Sequence, residues 1–403
     1  MTRGTVVTYF SPSGMPLRCH QTAMLNADAR TIARSKRYSF AGDYDDAKIY
    51  DGHVYFVPAD TLLADEARAL GIQGPDDLYG GVVPHPFVKT KAITHPLIDM
   101  SAERPDGWLF GPGKRISDAV LPGYTTFSPD DARIAAGRML AHTSIRVKQP
   151  LEAGGRGQDI VTTLDELDPL LERLPASNIA TYGLVLEQNL HHVTTLSIGH
   201  ITVDDVTFTY HGRQRVTRNN EGHPVYGGSD LVCVRGGWDA LPRLSLPEKV
   251  RTAIAKARAY DEAMSEYPNF MASRRNYDVG VGLDCDGHRR SGVFESSWRV
   301  GGATGAEVVA LSEFTQDPSV DIIETSHVEE FGKGRVPPLG AVSHVRLDDP
   351  EVGPIIRYTV ITRMERSRRQ ARAALAADRQ RRFGAAVTTG RSLAVKRISE
   401  PSG

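Results

Sequence analysis

The chain is poor in cysteine: Cys19, Cys233 and Cys285 lie far apart in 403 residues and form no CxxC pair. That excludes a disulfide framework and argues against a zinc site. Long apolar runs are also missing, and none approaches the roughly 20 residues that span a bilayer. The opening MTRGTVVTYFSPSG has too short an apolar stretch for a secretory signal. Charge of one sign is absent too, since 48 basic and 49 acidic residues leave a net charge of −1. The body as a whole therefore carries no nucleic-acid signature. What remains is an ordinary globular composition, long enough for two or three subdomains around a substantial core. A reducing, cytoplasmic setting is the default expectation.

Against that background one stretch stands out, IRVKQPLEAGGRGQDIV from Ile145 to Val161. Lys148 sits among β-branched Ile145 and Val147, which favour an extended chain. Gly154, Gly155 and Gly157 lack a Cβ, so the backbone there can turn tightly and approach an anion. Arg156 and the exposed N–H groups of such a turn suit phosphate oxygens. The pattern is neither GK[ST] opening a helix nor GxGxxG.

A second motif lies downstream. YDVGVGLDCDG (Tyr277 to Gly287) and VFESSWRVGG (Val293 to Gly302) read as antiparallel strands closed by the Asp286-Gly287 turn. Closure there sets Asp278 roughly opposite Glu295, and such a pair suits Mg²⁺ shared with substrate phosphates. Ser297 and Arg299 follow Glu295 at alternate positions.

Together the two motifs resemble the ATP-grasp superfamily, and the lysine strand with its GGRG loop is most similar to biotin carboxylase-like members. The resemblance runs over residues 145 to 305 and points to a bacterial family other than biotin carboxylase itself. It implies an α+β ATP-grasp fold: an N-terminal α/β (pre-ATP-grasp-like) domain, a mobile lid and a C-terminal mixed sheet. The expected divisions are 1–117, 118–190 for the lid, 191–362 for the core with its metal hairpin, and 363–403 for a basic, solvated tail. VVTYF and HVYFVPA read as buried strands of the first region, TAMLNADARTIARS and TLLADEARALGI as its amphipathic helices. Ser128 and Pro129 read as the cap and first turn of a helix leading to the Lys148 strand. Leu246 to Tyr267 reads as an amphipathic helix with Val250, Ile254 and Ala257 inward. Leu311 to Thr362 reads as strand-like, and residues 210–231 as an exposed polar loop.

The same resemblance assigns roles. ATP phosphates fall to Lys148, Gly154, Gly155, Arg156 and Gly157, with Lys91 favoured over Lys114 as the first ATP lysine. Glu187 and Leu190 stand beside the adenine, Gln188 and Asn189 supply backbone contacts, and the ribose contact stays open among His192, Thr194 and Thr195. Mg²⁺ falls to Asp278, Glu295 and Ser297, the last at a position where the family pattern has asparagine, which weakens a second metal contact. Arg299 is the catalytic residue; Arg213, Arg218 and Arg275 lie towards the acceptor, and Arg274 or Arg275 towards the phosphates. The implied activity is an ATP-dependent ligase that activates a carboxylate as an acyl phosphate for attack by an amine or thiol. A nucleotide-binding regulator and a phosphotransferase are the alternatives. The expected partners are a small-molecule carboxylate and nucleophile, with no membrane, an oligomer possible, and weak nucleic-acid contact through the tail only.

Overall fold

The computed structural model describes residues 4–12, 14, 16–151 and 157–366. Gly154, Gly155 and Arg156 of the glycine loop, and residues 367–403 of the expected tail, lie outside the described residues.

The chain opens with β1 (Gly4–Tyr9), α1 (Cys19–Lys36), β2 (Ser39–Asp43) and β3 (His53–Pro58), which form a parallel sheet in the order β2-β1-β3. Next come β4 (Leu62–Leu63), α2 (Ala64–Ala69) and β5 (Gly81–Val83). α2 is shorter than its periodicity predicts because Leu62 and Leu63 pair with Val82 and Val83 instead of joining the helix. Two 3-10 turns, Pro86–Lys89 and Lys91–Thr94, then lead to α3 (Phe110–Arg115).

A four-stranded antiparallel sheet follows, ordered β6-β9-β7-β8. In chain order its elements are β6 (Gly123–Thr126), α4 (Pro129–Leu140), β7 (Ile145–Lys148), β8 (Gln158–Val161), α5 (Leu164–Arg173), α6 (Ala176–Tyr182) and β9 (Leu184–Gln188). α4 begins as its sequence predicts: Ser128 Oγ accepts from the Asp131 N–H at 3.2 Å, and Pro129 fills the first helical position.

The remainder is β10 (His191–Val203), β11 (Val206–Arg218), β12 (Pro224–Arg235), α7 (Glu248–Met264), β13 (Met271–Ala272), β14 (Arg274–Leu283), β15 (Arg289–Ser297), α8 (Thr304–Gln316), β16 (Val320–Phe331), β17 (Val342–Asp349) and β18 (Gly353–Arg366). β13 returns to β5; the other strands form an eight-stranded antiparallel sheet, β15-β14-β10-β11-β12-β16-β18-β17. Mixed helices and large antiparallel sheets make this an α+β fold.

Each face of the large sheet has its own cover. α7 lays Val250, Ile254 and Ala257 into a core with Leu196, Ile198, Tyr277 and Val279. α1 and α8 cover the other face, with Leu25, Ile32 and Phe314 over Phe208, Tyr210 and Leu231. Strand alternation then sorts β14: Tyr277 and Val279 face α7, while Arg274, Asn276 and Asp278 face the other way.

Three expectations are corrected. Residues 210–231 are not a loop but most of the β11–β12 hairpin, paired from Phe208↔Arg235 to Arg218↔Pro224. Leu311–Gln316 is not strand-like; it is the end of α8, a helix buried on nearly every side and so lacking the stripe that betrays an amphipathic helix. The tail boundary at 363 falls inside β18, where Arg363 pairs with Glu324 and Arg366 with Val320.

Candidate active site

The β14–β15 hairpin is closed by its own turn. Asp284 Oδ1 accepts from the N–H groups of Asp286 and His288 at 3.0 and 2.8 Å, its Oδ2 accepts from Arg290 Nε at 2.8 Å, and Gly287 takes φ 78°. From that turn the ladder runs back to place Asp278 directly opposite Glu295. The register slips immediately afterwards, from Asp278↔Glu295 to Val279↔Val293, so Phe294 is the extra residue of a bulge. Its ring lies over Gly280, where a Cβ would come within 1.9 Å of Phe294 Cζ. The outer side of β15 is closed by residues 119–121: Val293 N–H donates to Ala119 O at 2.9 Å.

Asp278 takes hydrogen bonds from Ser197 Oγ at 3.0 Å and Gln214 Nε2 at 2.9 Å. Burial and the adjacent Glu295 push its carboxyl up to about 6. Lys91 Nζ stands 3.5 Å from Glu295 Oε2. That lysine opens its 3-10 turn, held by Thr90 Oγ1 accepting from the Ala92 N–H at 3.1 Å. Lys114, the alternative first lysine, is an exposed residue of α3. Lys148 ends β7, buried; its Nζ pairs with Glu187 and lies 4.4 Å from the centroid of the Phe294 ring. Glu187 Oε2 also meets His95 Nε2 at 3.1 Å. Burial alone would raise the Glu187 carboxyl, but Lys148 and His95 hold it below the usual range. Two lysines, three carboxylates and a histidine thus converge from the 3-10 turn, the four-stranded sheet and the hairpin.

Other candidates are placed differently. Glu187 is fully buried, and its contacts are Lys148 and His95 rather than solvent. The N–H groups of Gln188 and Asn189 are already taken, donating to Pro122 O at 2.8 Å and Ser144 O at 3.0 Å, so they offer an adenine no donor. Asn189 Oδ1 accepts from Arg146 at 2.8 Å, and Leu190 is buried. Gly157 closes the β7–β8 loop at φ 60°, its carbonyl accepting from the Gln149 N–H at 2.9 Å.

The structure does not bring the three acceptor-side arginines to the carboxylate pair. Arg213 pairs in register with Leu196 and so lies on the α7 face, opposite Asp278. Arg275 is on that same face, 3.1 Å from Asp261 of α7. Arg218 donates to Gly222 O at 2.7 Å in the β11–β12 turn. Arg274 is not at a phosphate site either: it is fully buried against Glu307. Arg299 is partly exposed, its Nη1 donating to Val300 O at 3.0 Å and its Nε 3.8 Å from Asp60, which also takes Lys89 Nζ at 2.8 Å. Ser297 Oγ accepts from Arg274 Nη1 at 3.3 Å, so the hydroxyl expected at a metal faces a guanidinium instead. Phe294, Gln214 and Lys89 were missed as site residues, whereas His95, tempting in the sequence as a general base though not assigned that role, is placed here as a partner of Glu187. Alternation along one strand signals Phe294 only once the bulge is known, and the others come together through tertiary packing alone.

The fold and the site define an α+β protein whose paired strand carboxylates face two buried lysines. The chain belongs to the family described as "Protein of unknown function (DUF3182)", which matches residues 12–359. Among proteins of curated function none matches it by sequence. Several solved structures are similar. The biotin carboxylase domain of Hydrogenobacter thermophilus 2-oxoglutarate carboxylase, in complex with MgADP, ADP and bicarbonate, is 10% identical over 90% of this chain and 87% of its own, with a TM-score of 0.49. N5-carboxyaminoimidazole synthetase from Staphylococcus aureus, complexed with ADP, is 12% identical over 94% and 97%, TM-score 0.45. D-alanyl-alanine synthetase A from Vibrio cholerae is 14% identical over 78% and 96%, TM-score 0.44. Among the described residues no helix is long and apolar enough to cross a membrane.

Proposed function

We propose that this protein is an ATP-grasp enzyme that binds Mg-ATP between its four-stranded and eight-stranded sheets and activates a carboxylate as an acyl phosphate for attack by an amine or thiol. One observation carries the reading: Asp278 and Glu295 lie side by side in register, facing Lys91 and Lys148 from other parts of the chain. The donor set fits Mg²⁺. Both groups are carboxylates in register; burial first, and then the neighbouring Glu295, raise Asp278, and a divalent cation between them would favour its ionised form. Bound there, the ion would neutralise charge on phosphate oxygens. Ser297 is not part of that set, because its oxygen already faces the Arg274 guanidinium.

The chain's own residues would then divide the work. Lys91 and Lys148 bind phosphate oxygens, and Glu187 with His95 orients Lys148. Phe294 keeps water from one side of the Lys148 ammonium. Arg299, four residues after Glu295 and only loosely tied to Asp60, would stabilise charge as the phosphoryl group moves. The Ser297–Arg274 bond favours one alternative, a regulator that holds nucleotide through a single metal without turnover. Calorimetry with ATP, with and without Mg²⁺, tests binding. ADP release that rises well above its basal rate only when a carboxylic acid and an amine are both added supports the ligase. Mg-dependent binding without release supports the regulator, and absence of ATP binding ends both.

A further inference from the structure

Beside the carboxylate pair lies a buried polar cluster that the reading above does not use. Glu307, in the first turn of α8, is fully buried. It accepts from Arg274 Nε at 3.0 Å and Nη2 at 2.8 Å, from the Tyr79 hydroxyl at 2.9 Å and from the Tyr210 hydroxyl at 2.5 Å. Those four donors fill the lone-pair directions of one carboxylate, so Glu307 has no capacity left for a ligand. Tyr210 is steadied in turn by Asn276 Nδ2 at 3.1 Å. Burial works against the Arg274 charge, but Glu307 outweighs it and holds the guanidinium above its usual value.

The fork of Arg274 has one nitrogen left over, and it is turned to the exit of β15. Nη1 donates to Ser297 O at 3.3 Å, to Ser297 Oγ at 3.3 Å and to Arg299 O at 2.5 Å. β15 ends at Ser297, still in register with Asn276, so the Arg299 carbonyl lies past the ladder and needs a donor from elsewhere. Between them Trp298 is fully buried, its ring 4.9 Å from Phe270. The segment is therefore pinned by packing on one side and by one guanidinium on the other. Tyr79 comes from the chain just before β5, so the same carboxylate also joins the N-terminal part to this exit.

We propose that Arg274 is a positioning residue: by tying the Ser297 and Arg299 carbonyls to Glu307, it fixes the direction from which the Arg299 guanidinium enters the cleft. The role rests on the function proposed above for Arg299, but its structural half stands apart from it. Planarity matters, because only a fork reaches a carboxylate with two nitrogens and a pair of carbonyls with the third.

Removing one buried charge alone strands its partner and risks unfolding. The test therefore pairs Arg274→Met with Glu307→Gln, which removes both charges at similar volume. Tyr79→Phe is the control: it takes one donor from Glu307 and leaves every bond to residues 297–299. Amide exchange of the full chain is followed by mass spectrometry on peptides covering 297–303, alongside basal ADP release from Mg-ATP and ATP affinity. In the double variant, exchange over that segment should accelerate about tenfold while the sheets stay protected. ADP release should fall about a hundredfold with ATP affinity unchanged. Tyr79→Phe should leave all three alone. Unchanged exchange at 297–303 in a folded double variant overturns the role, as does equal acceleration in Tyr79→Phe. A wild type that neither binds nor hydrolyses Mg-ATP defeats the proposed function, and the exchange result still decides the positioning. Should the double variant not fold, Arg274→Lys decides on the same readout, since one amine cannot span Glu307 and both carbonyls.

Discussion

Lys148 has a partner before any nucleotide arrives. Its pairing with Glu187 means that a phosphate would share an ammonium already in use. Lys148→Met should still weaken ATP by about 1.5–3 kcal/mol, the range for a hydrogen bond to a charged group. Adenosine affinity should not change, and calorimetry with both ligands checks this; equal ATP affinity in variant and wild type removes the phosphate role. Glu295→Gln keeps shape and removes charge, so nucleotide binding should lose its Mg²⁺ dependence while the melting curve stays in place. Full Mg²⁺ dependence in that variant would mean that the hairpin carboxylates are ordinary surface charges. Away from the site, burial, with Arg34 and Arg357 nearby, pushes His344 down to about 4. Its Nε2 lies 2.8 Å from Thr359 Oγ1. The folded value is below that of an exposed histidine, so as pH falls the unfolded chain takes up the proton first. The stability carried by neutral His344 is thus whole above about pH 6.5 and lost towards pH 4, amounting to about 3 kcal/mol. His200, also pushed down to about 4, loses stability over the same range in both proteins. The urea stability of wild type minus His344→Gln should therefore shrink as pH falls through that window, and a constant difference would refute the assignment.

Elements specified by local chemistry were legible in the sequence. α4 declares itself through Ser128 and Pro129, α7 through its apolar stripe, and the β14–β15 hairpin through Asp286-Gly287. Ser128→Ala should accordingly cost about 1 kcal/mol in chemical denaturation, the worth of one N-cap; no loss would mean that tertiary contacts alone hold the helix start. What depends on the surroundings was hidden. α8 shows no stripe because nearly every side of it is buried, and β11–β12 looks like a loop because its polar end projects beyond the sheet's covering helices. Within a strand, parity is readable: Arg275 is three residues from Asp278 and had to face the other way. Between strands it is not. That Gln214 rather than Arg213 meets Asp278 depends on a register that no single strand reveals.

At the scale of the molecule, the C-terminal boundary is the clearest prediction. Arg363 pairs with Glu324 at 3.1 Å across the β16–β18 ladder, and Arg366 with Asp317, just past the end of α8, at 2.9 Å. A chain ending after Thr362 should therefore melt lower than one ending after Arg366. Identical melting of the two shortened chains would show that the last residues of β18 add nothing. A different kind of connection runs through the opposite edge of the sheet, where residues 119–121 close the free side of β15. Those residues lead directly into β6 and the sheet that carries Lys148. Any tilt of the small sheet against the large one would thus tug on the strand that bears Glu295. A phosphate gripped at one end would be felt at the other through the backbone, as a latch feels the door.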